Sequence, residues 1–533
     1  MSPDYTRKIE ADIPVIIVGG SLVGLSAAMF LAARGIRCMV VERHRRSALH
    51  PRAQGFTART LEMFDTAGLR KLPEVPRSST GLRRIRAESI TGTWKEETYF
   101  TPKGAVNSPA KPPAAPPSPH VGAAISQDRI EPLLRQRAIE LGATLCLGTE
   151  LARFEDREDG ITAWLKGSEG TERAVRAAYL IGCDGNRSFV RESLGIERQG
   201  VGVIQIMRSV LFRADLERFR CDGVQFEIEQ PDLQAFLAGY GDGRWVLMFR
   251  DDVERDELTL AAAIQQAIGT PVPVEILTTG RWEVTALIAD RFRQERVFLA
   301  GDSAHTLPPN RGGFGANTGI ADAFNLAWKL AAVLSGQSKV SLLDSYEEER
   351  RPVAWMRFQQ IFARADYGRH ADDTLRATPL LDEIAIEFGE LYRSRIIEGA
   401  SPDLPLARRP DEWQGQPGTR APHRVVTRDG QFLSTLELYG EGWVLVSSSK
   451  RWCEAAAAMR QRKGIAVTAI NLRAAFGPVD GALVEQDLGI GDKGASLVRP
   501  DGVIAWRTSQ EDGSIDALGH VMEIAAQPTS HPR

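Results

Sequence analysis

Cysteine is scarce in this chain. Only five of the 533 residues are cysteine, at positions 38, 146, 183, 221 and 453. They form no Cys-x-x-Cys pair and no zinc-like spacing, which argues against a disulfide framework, a thiol redox motif and a structural zinc site. Scattered single cysteines are typical of small buried hydrophobic residues in a reducing compartment.

Long hydrophobic runs, clustered histidines and a strong net charge are also missing. No window is apolar enough to span a membrane, and the N-terminal residues are too polar for a secretory signal. The eight histidines form no metal-binding motif, and the formal net charge of −3 gives no reason to expect nucleic acid as a partner. The composition, with 43% hydrophobic and 25% charged residues, is that of an ordinary globular protein. We therefore expect a cytoplasmic enzyme without a bound metal.

Residues 296–330 carry the most informative pattern of the chain. An apolar strand at 297–300 leads into Gly301-Asp302, and a Pro-Pro turn and a glycine-rich loop precede a helix that we expect to begin near Asn317. Asp302 can accept hydrogen bonds from hydroxyl groups, while the glycines let backbone N–H groups approach a ligand closely. The helix start offers the positive end of its dipole to negative charge. These features suit a flavin, which has a hydroxylated ribityl chain and a ring that becomes anionic on reduction.

The N-terminal segment has the pattern of a dinucleotide-binding βαβ unit. A β-branched strand at 13–18 is followed by the loop GGSLVG at 19–24, a helix, and a second strand that ends in Glu42. Glu42 lies 18 positions after Gly24, close to the roughly 20 expected for a carboxylate that binds the ribose. Ser21 replaces the second glycine of the fingerprint. A small side chain therefore lies where the backbone usually approaches the pyrophosphate, although its hydroxyl can itself donate to phosphate.

A third loop lies between these two motifs. The apolar stretch 178–183 precedes Asp184-Gly185, a pattern that alone is most often a simple turn. Together with the loops at 19–24 and 301–309 and the segments 50–64 and 126–138, it resembles the class A flavoprotein monooxygenases, the family of para-hydroxybenzoate hydroxylase. Within that family the chain is similar to aromatic polyketide hydroxylases and to phenol hydroxylases, which add a C-terminal thioredoxin-like domain. The resemblance covers nearly the whole chain and is specific for cofactor and reaction class, but not for substrate.

The resemblance implies non-covalent FAD, with the pyrophosphate along the N-terminal glycine loop, the adenosine ribose beside Glu42 and the ribityl chain beside Asp302. Arg52 either contacts a phosphate or the flavin edge or is a surface charge. Gln127 either contacts the flavin or is a polar residue near a helix start. Asp184 belongs to the Asp-Gly motif, which in the family touches both FAD and the nicotinamide nucleotide. The cofactor-binding residues implied are Gly19, Ser21, Gly24, Glu42, Arg43, Arg52, Gln127, Asp184, Asp302, Gly313, Gly315 and Asn317.

The loop before the helix departs from the family pattern. It has one residue more between Pro309 and Asn317 than the usual PPxGGxGxN, and either Asn310 or Arg311 is the extra one. The resemblance implies that the Pro309 carbonyl faces the flavin ring and the substrate. Arg311 either stabilises an anionic substrate or the reduced flavin, or points to solvent. Pro309 and Arg311 are therefore the candidate catalytic residues, whereas His305 is expected to be a structural hydrogen-bonding residue.

The middle of the chain is expected to contribute the substrate surface. Separated strand-like runs between residues 203 and 283 predict a sheet. Its aromatic and thioether side chains suit a planar ring system, although such residues are more often core than ligand contacts. From Phe236, Tyr240, Trp245, Met248 and Phe249 we single out Tyr240, Trp245 and Phe249 as candidate substrate-binding residues.

The expected fold class is α/β, a Rossmann-like FAD-binding domain with an inserted mixed β-sheet substrate domain, plus a C-terminal thioredoxin-like domain. We expect the FAD-binding domain at 1–85, 121–200 and 286–400, and the substrate domain at 86–120 and 201–285. A linker at 401–422 then leads to the thioredoxin-like domain at 423–533. The proline-rich stretch 101–120 is expected to be an extended surface loop, either a mobile insertion or a lid over the substrate entrance.

Two further regions are expected to carry no chemistry. The charged side chains of 342–351 are predicted to form a solvated helix face with i,i+4 pairs, at the start of a long helical region that reaches about residue 399. In the C-terminal domain three serines, at 447–449, stand after the first strand where a redox dithiol would be needed. We therefore expect no disulfide exchange, and a structural or subunit-contact role for that domain.

The resemblance implies an FAD- and NAD(P)H-dependent monooxygenase that uses dioxygen to hydroxylate a phenolic or polycyclic, polyketide-type aromatic substrate through a flavin hydroperoxide. NADPH or NADH is the co-substrate, and the enzyme is expected to be a monomer or homodimer. One alternative is the same flavin chemistry inserting oxygen next to a ketone or driving oxidative decarboxylation. Another is a flavin-binding protein without turnover that serves as an assembly partner.

Overall fold

A computed structural model gives the structure of the chain. It describes residues 9–47, 50, 53–70, 72, 83–99, 116–219, 224–251, 255–309, 313–463, 466–511, 519 and 521–522. Among the helices of these residues, none is both long and apolar enough to cross a membrane. Most of the proline-rich stretch 101–120 lies outside the described residues, so its predicted role as insertion or lid stays a prediction.

The elements of the first half are, in chain order, β1 (Ile9–Val18), α1 (Leu22–Ala32), β2 (Cys38–Glu42), α2 (Ala58–Thr66), β3 (Arg83–Ala87), β4 (Trp94–Tyr99), α3 (Gln127–Glu140), β5 (Thr144–Leu147), β6 (Thr149–Arg157), β7 (Gly160–Gly167), β8 (Glu172–Gly182), α4 (Phe189–Ser193), β9 (Arg198–Arg213), β10 (Val224–Glu229), β11 (Gln234–Gly239), β12 (Arg244–Arg250) and α5 (Glu257–Ile268). Those of the second half are β13 (Glu275–Ala289), β14 (Arg293–Gln294), β15 (Val297–Leu299), β16 (His305–Thr306), α6 (Phe314–Leu334), α7 (Asp344–Phe362), α8 (Ala365–Gly368), α9 (Asp373–Arg376), α10 (Glu383–Phe388), α11 (Pro410–Trp413), β17 (Val425–Arg428), β18 (Gln431–Ser434), β19 (Trp443–Ser447), α12 (Lys450–Lys463), β20 (Val467–Asn471), α13 (Leu472–Leu488), β21 (Ala495–Val498) and β22 (Ile504–Thr508).

The first sheet is the Rossmann-like one. Strands β15, β8, β1, β2 and β5 lie side by side in that order and run parallel, while β14 and the β6–β7 hairpin add antiparallel partners. The central strand β1 is a run of β-branched residues that are fully buried at Val15, Ile16 and Ile17, as expected for a parallel strand covered on both faces. Helix α1 is buried almost all round, between this sheet and its neighbouring helices.

The second sheet is mixed and has the strand order β16-β13-β9-β12-β11-β10-β3-β4. The four strand-like runs predicted between residues 203 and 283 correspond to β9, β10, β11 and β12. Helix α5 was not predicted, and its apolar residues share one buried cluster with one face of this sheet. Strands β3 and β4 come from much earlier in the chain, so the sheet is assembled from separated segments.

The third sheet forms the C-terminal unit, with strand order β20-β19-β21-β22. β19 pairs in parallel with β20 and antiparallel with β21, and a turn at 499–502 connects β21 to β22. Helix α13 between β20 and β21 was not predicted, and it kinks at Gly477, where φ is 79° and a proline follows. The expected fold class is confirmed by this arrangement and by the structural similarity described below.

Candidate active site

The three motif loops meet at one edge of the first sheet. They follow β1, β8 and β15, which are parallel neighbours, so their carboxyl ends lie together. The packing is tight, because a Cβ added at Gly19 would lie 2.3 Å from the Cys183 carbonyl oxygen, and one added at Gly301 would lie 2.8 Å from the Val23 side chain. The glycine loop, the Asp184-Gly185 motif and the Gly301-Asp302 motif therefore line a single crevice.

Ser21 is linked by its side chain to helix α3. Its hydroxyl donates to the Glu131 carboxylate at 2.6 Å, and the Gln127 amide donates to both Ser21 Oγ, at 3.0 Å, and Glu131, at 2.8 Å. Gln127 also accepts a hydrogen bond from the Ala53 N–H at 3.3 Å. This serine therefore joins the glycine loop to the start of α3, a connection that a glycine at the same position could not make.

Glu42 lies at the end of β2 and holds the glycine loop from the other side. One carboxylate oxygen accepts the Gly20 N–H and the other accepts the His44 N–H, both at 2.7 Å. Each carboxylate oxygen has two lone pairs, so both can accept a further hydrogen bond. Arg43 is exposed next to it and donates to the His44 ring.

Asp184 caps the short helix α4. Its carboxylate accepts hydrogen bonds from the Ser188 hydroxyl at 2.5 Å and the Val190 N–H at 3.0 Å. Burial raises its pKa, although these hydrogen bonds oppose the shift. Arg191, which is buried, donates to the Ser303 carbonyl at 3.3 Å and so connects this motif to the Gly301-Asp302 motif.

Asp302 is exposed on a short turn, and Asp322 of helix α6 contacts Gly301 before it and His305 after it. Asp322 accepts the Gly301 N–H at 3.1 Å and bonds to His305 Nε2 at 2.6 Å, and it pairs with Arg350 at 2.7 Å. Burial would raise the pKa of Asp322, but His305 and Arg350 outweigh it and the pKa is lowered to about 2. His305 is therefore a buried structural partner, as the sequence analysis expected.

Helix α6 begins at Phe314, three residues before the predicted start. Gly313 is its N-cap and has a left-handed φ of 58°, which favours glycine at this position. The Asn317 side chain is buried, accepts the Thr57 N–H at 3.1 Å and donates to the Gly313 carbonyl at 2.8 Å. Asn317 thus connects the start of α6 to the start of α2.

The space beside the loops is open where a cofactor would need it. Among the described residues, a Cβ added at Gly55 or Gly185 would meet no atom within 4 Å, and one at Gly315 would meet only the Leu307 carbonyl, at 3.9 Å. Backbone N–H groups, an exposed carboxylate at Asp302 and a helix start therefore border open space in one crevice, and this donor and acceptor set fits FAD.

Two predicted site residues, Arg52 and Arg311, lie outside the described residues, so their roles stay predictions. Pro309 is described and exposed, and its carbonyl accepts a hydrogen bond from the Tyr367 hydroxyl at 2.7 Å.

The substrate candidates lie on opposite faces of the second sheet. Side chains alternate along a strand, and Trp245 and Phe249 of β12 share a buried cluster with helix α5. Their position therefore gives them a packing role, and we no longer place them in the substrate site. Tyr240 lies on the other face, where it is hydrogen-bonded to Gln54, and Phe236 and Met248 share that face.

Several residues at the crevice were missed by sequence reasoning. Glu131, Asp322 and Arg350 are buried and hold the motif loops. The expectation of a solvated face at 342–351 was wrong for Glu349 and Arg350, which are both buried in ion pairs. One available signal was that Asp322 and Lys329 occur on an otherwise apolar helix, where a charge needs a buried partner.

The fold and the crevice define a flavin-binding protein of the doubly wound type with an additional substrate sheet. A family model described as an FAD binding domain matches residues 12–360, and one described as the aromatic-ring hydroxylase C-terminal domain matches residues 414–526. The chain belongs to the family of FAD-dependent aromatic-ring hydroxylases, and it is an FAD-dependent aromatic-ring monooxygenase with NAD(P)H as co-substrate.

Relatives are similar over almost their full length. Aklavinone 12-hydroxylase of Streptomyces purpurascens is 37% identical, with 94% of this chain and 96% of the relative covered. A 4-methyl-5-nitrocatechol 5-monooxygenase of a Burkholderia species is 36% identical, with the same coverage of 94% and 96%. The solved structure of aklavinone-11 hydroxylase with FAD and aklavinone has a TM-score of 0.85 at 34% identity and covers 98% of this chain and 100% of that chain.

Proposed function

We propose that this monooxygenase hydroxylates a planar phenolic or polycyclic substrate that lies between the flavin and the Tyr240 face of the second sheet. The observation that carries the proposal is the meeting of three motif loops in one crevice, next to that face. Tyr240 bonds to Gln54, and the neighbouring Ala53 bonds to Gln127, which contacts the glycine loop through Ser21. A continuous set of contacts therefore connects the substrate face to the cofactor crevice.

The residues of the crevice divide the binding of FAD among them. Gly19, Gly24 and the backbone around Ser21 would hold the pyrophosphate, Glu42 with Arg43 the adenosine end, and Asp302 the ribityl hydroxyls. Gly313, Gly315 and Asn317 form or brace the helix start that would face the pyrimidine edge of the ring, where its positive dipole end would stabilise negative charge. When bound, FAD accepts a hydride from NAD(P)H and activates dioxygen for transfer of one oxygen atom to the ring.

The substrate face combines apolar side chains with polar groups, namely Tyr240 and the Arg84–Glu227 ion pair, whose arginine lies over the Phe236 ring. Phe236, Met248 and Leu277 are partly buried on this face and offer a surface for a flat ring system. Burial raises the pKa of Tyr240 to about 12, so its hydroxyl stays protonated near neutral pH and can donate a hydrogen bond to a substrate oxygen. Tyr240 therefore orients the substrate and does not act as a base. The chain as a whole is proposed to act in the cytoplasm, as a monomer or homodimer.

Cofactor binding is tested by replacing the Asp302 carboxylate. Asp302→Ala should weaken FAD binding at least tenfold, because hydrogen bonds to a charged group contribute about 1.5–3 kcal/mol each. The dissociation constant is measured by flavin fluorescence with apoprotein, and Asp403→Ala, an exposed carboxylate on the linker, is the control. Unchanged FAD affinity in Asp302→Ala would contradict the proposed ribityl contact.

The reaction is tested by following NADPH and NADH consumption by purified holoenzyme with phenols, catechols, anthraquinones and tetracyclic aglycones. Substrate should stimulate oxidation, and under labelled dioxygen the product should gain one labelled oxygen on an aromatic carbon. An ester or ring-expanded lactone would instead support oxygen insertion, and loss of carbon dioxide would support decarboxylation. No stimulation by any compound would support a binding protein without turnover. Tyr240→Phe should raise KM or change regiochemistry, whereas Trp245→Phe, on the opposite face, should not.

A further inference from the structure

Tyr367 contacts the one carbonyl that the family resemblance places beside the flavin and the substrate. Tyr367 lies in helix α8, directly after α7, and its hydroxyl donates to the Pro309 carbonyl oxygen at 2.7 Å. The length is that of a normal hydroxyl–carbonyl hydrogen bond. Pro309 is the last described residue before 310–312, the segment in which this chain has its extra residue.

The ring of Tyr367 is fixed by packing. It stacks edge-on against Phe362 with ring centroids 6.2 Å apart. It also packs against the cluster formed by Phe314, Ile361 and Ile386, against which Leu307 packs as well. Leu307 and Phe314 stand on either side of 310–312 in the chain. The tyrosine therefore packs on the same cluster as described residues before and after that segment, while its hydrogen bond to Pro309 is exposed.

Because residue 309 is a proline, the hydrogen bond from Tyr367 has a strong influence on the direction of its carbonyl. The pyrrolidine ring holds φ of Pro309 near −65°, and proline has no N–H through which another group can hold it. The torsion ψ, which sets where the carbonyl points, is then the main remaining freedom of the residue. The hydrogen bond from Tyr367 to the carbonyl oxygen restricts that rotation.

We propose that Tyr367 is a positioning residue for oxygen transfer, which it serves by setting the direction of the Pro309 carbonyl. The inference rests on the proposed function and on the family resemblance, which implies that the Pro309 carbonyl faces the flavin ring and the substrate. Without this hydrogen bond, NADPH oxidation continues but the substrate ring is held less well. More of the reducing equivalents then go to peroxide, since NADPH, dioxygen and a proton give NADP⁺ and hydrogen peroxide when no oxygen atom reaches the ring.

The test compares two variants that each remove one phenol hydroxyl and keep the ring. Tyr367→Phe removes the bond to Pro309, and Tyr346→Phe removes a bond of the same length, 2.7 Å, from the buried Tyr346 to the Leu299 carbonyl. With the holoenzyme and a hydroxylated substrate, Tyr367→Phe should lower product formed per NADPH consumed at least threefold, with hydrogen peroxide making up the difference. Tyr346→Phe should lower the melting temperature but keep the wild-type ratio. Equal ratios in wild type and Tyr367→Phe, or an equal loss in both variants, would overturn the inference.

A second measurement does not depend on turnover. Hydrogen–deuterium exchange of the FAD-bound protein should be faster in Tyr367→Phe than in wild type or Tyr346→Phe for peptides that cover 305–316, and unchanged elsewhere. Unchanged exchange would overturn the positioning role even if the enzyme hydroxylates its substrate. If exchange is faster in Tyr367→Phe but the protein turns over no substrate, the result supports the contact and contradicts the proposed function.

Discussion

Two clusters of buried charged residues lie along helix α6, and they differ in which part of the chain supplies the oppositely charged partners. Near its start, Asp322 is surrounded by partners within the FAD-binding part, namely the Gly301 N–H, His305 and Arg350. Further along, Lys329 donates at 2.8 Å to Glu349, whose other cationic partner is Arg499 of the C-terminal unit, 150 residues away.

Both clusters keep their carboxylates ionised. Burial opposes this in each, but Arg499 and Lys329 hold the pKa of Glu349 well below its usual range, as His305 and Arg350 do for Asp322. The first cluster holds the loop that carries Asp302, whereas the second joins the C-terminal unit to the flavin-binding part. Glu349 and Arg350 are consecutive, so one turn of α7 connects the two. The C-terminal unit thus supplies a charge that the rest of the chain needs, and its lack of a dithiol is consistent with such a structural role.

The largest expected effect comes from breaking the second cluster. Arg499→Met should lower the free energy of unfolding by about 3–5 kcal/mol, because it leaves two buried carboxylates, Glu349 and Asp501, beside the single positive charge of Lys329. Denaturant unfolding of the holoenzyme measures the change. The control is Arg395→Met, an arginine that pairs with the adjacent Glu348 at the surface and should cost less than about 1 kcal/mol. Similar losses of unfolding free energy in Arg499→Met and Arg395→Met would show that the buried ion pair stabilises the fold no more than the surface pair does.

Breaking the first cluster should weaken FAD binding more than breaking the second cluster does. Asp322→Asn weakens the acceptor for His305 and Arg350, and the Gly301-Asp302 turn loses its anchor. We expect FAD to bind about tenfold more weakly, equivalent to about 1.4 kcal/mol. Fluorescence titration should show a smaller change in Arg499→Met. Wild-type FAD affinity in Asp322→Asn would mean that the loop keeps its shape without this carboxylate.

The smallest effect is expected where a similar contact lies near the surface. His120 bonds to Asp65 at 2.7 Å, and this hydrogen bond raises the pKa of His120 despite partial burial. Because the folded-state pKa is raised, the contact stabilises fully below the unfolded value of about 6.5 and is lost as pH rises through the folded value. His120→Gln should cost less than about 1 kcal/mol at pH 5.5 and almost nothing at pH 9. Thermal unfolding at both values tests this, and an equal loss at the two values would contradict the assignment.

Much of the cofactor crevice was accessible from local patterns. The glycine loop after β1, the Asp184 motif after β8 and Asp302 after β15 were each identified from a few neighbouring residues. Strand and turn preferences act over such short distances, and parallel strands then bring their carboxyl ends together. The strands of the second sheet were recognised for the same reason.

Local sequence patterns did not predict the burial of a residue where a partner far away in the chain determines it. Alternation alone does not say which face of β12 is covered by a helix, so the sequence could not show that Trp245 and Phe249 pack against helix α5. The charged run 342–351 has the composition of a solvated helix. In the folded protein, however, Arg499 pairs with Glu349 and Asp322 pairs with Arg350, so these two members of the run are buried.

By itself, then, the sequence determined the loops that carry the flavin-binding motifs and the strands that lead into them, because glycine, proline and β-branched residues restrict their own backbone. The reaction class came from the resemblance of these motifs to a known family. Tertiary structure alone decided which charges are buried, which face of the sheet is open and which tyrosine reaches Pro309. Those properties depend on side chains that are far apart in the chain and meet only after folding.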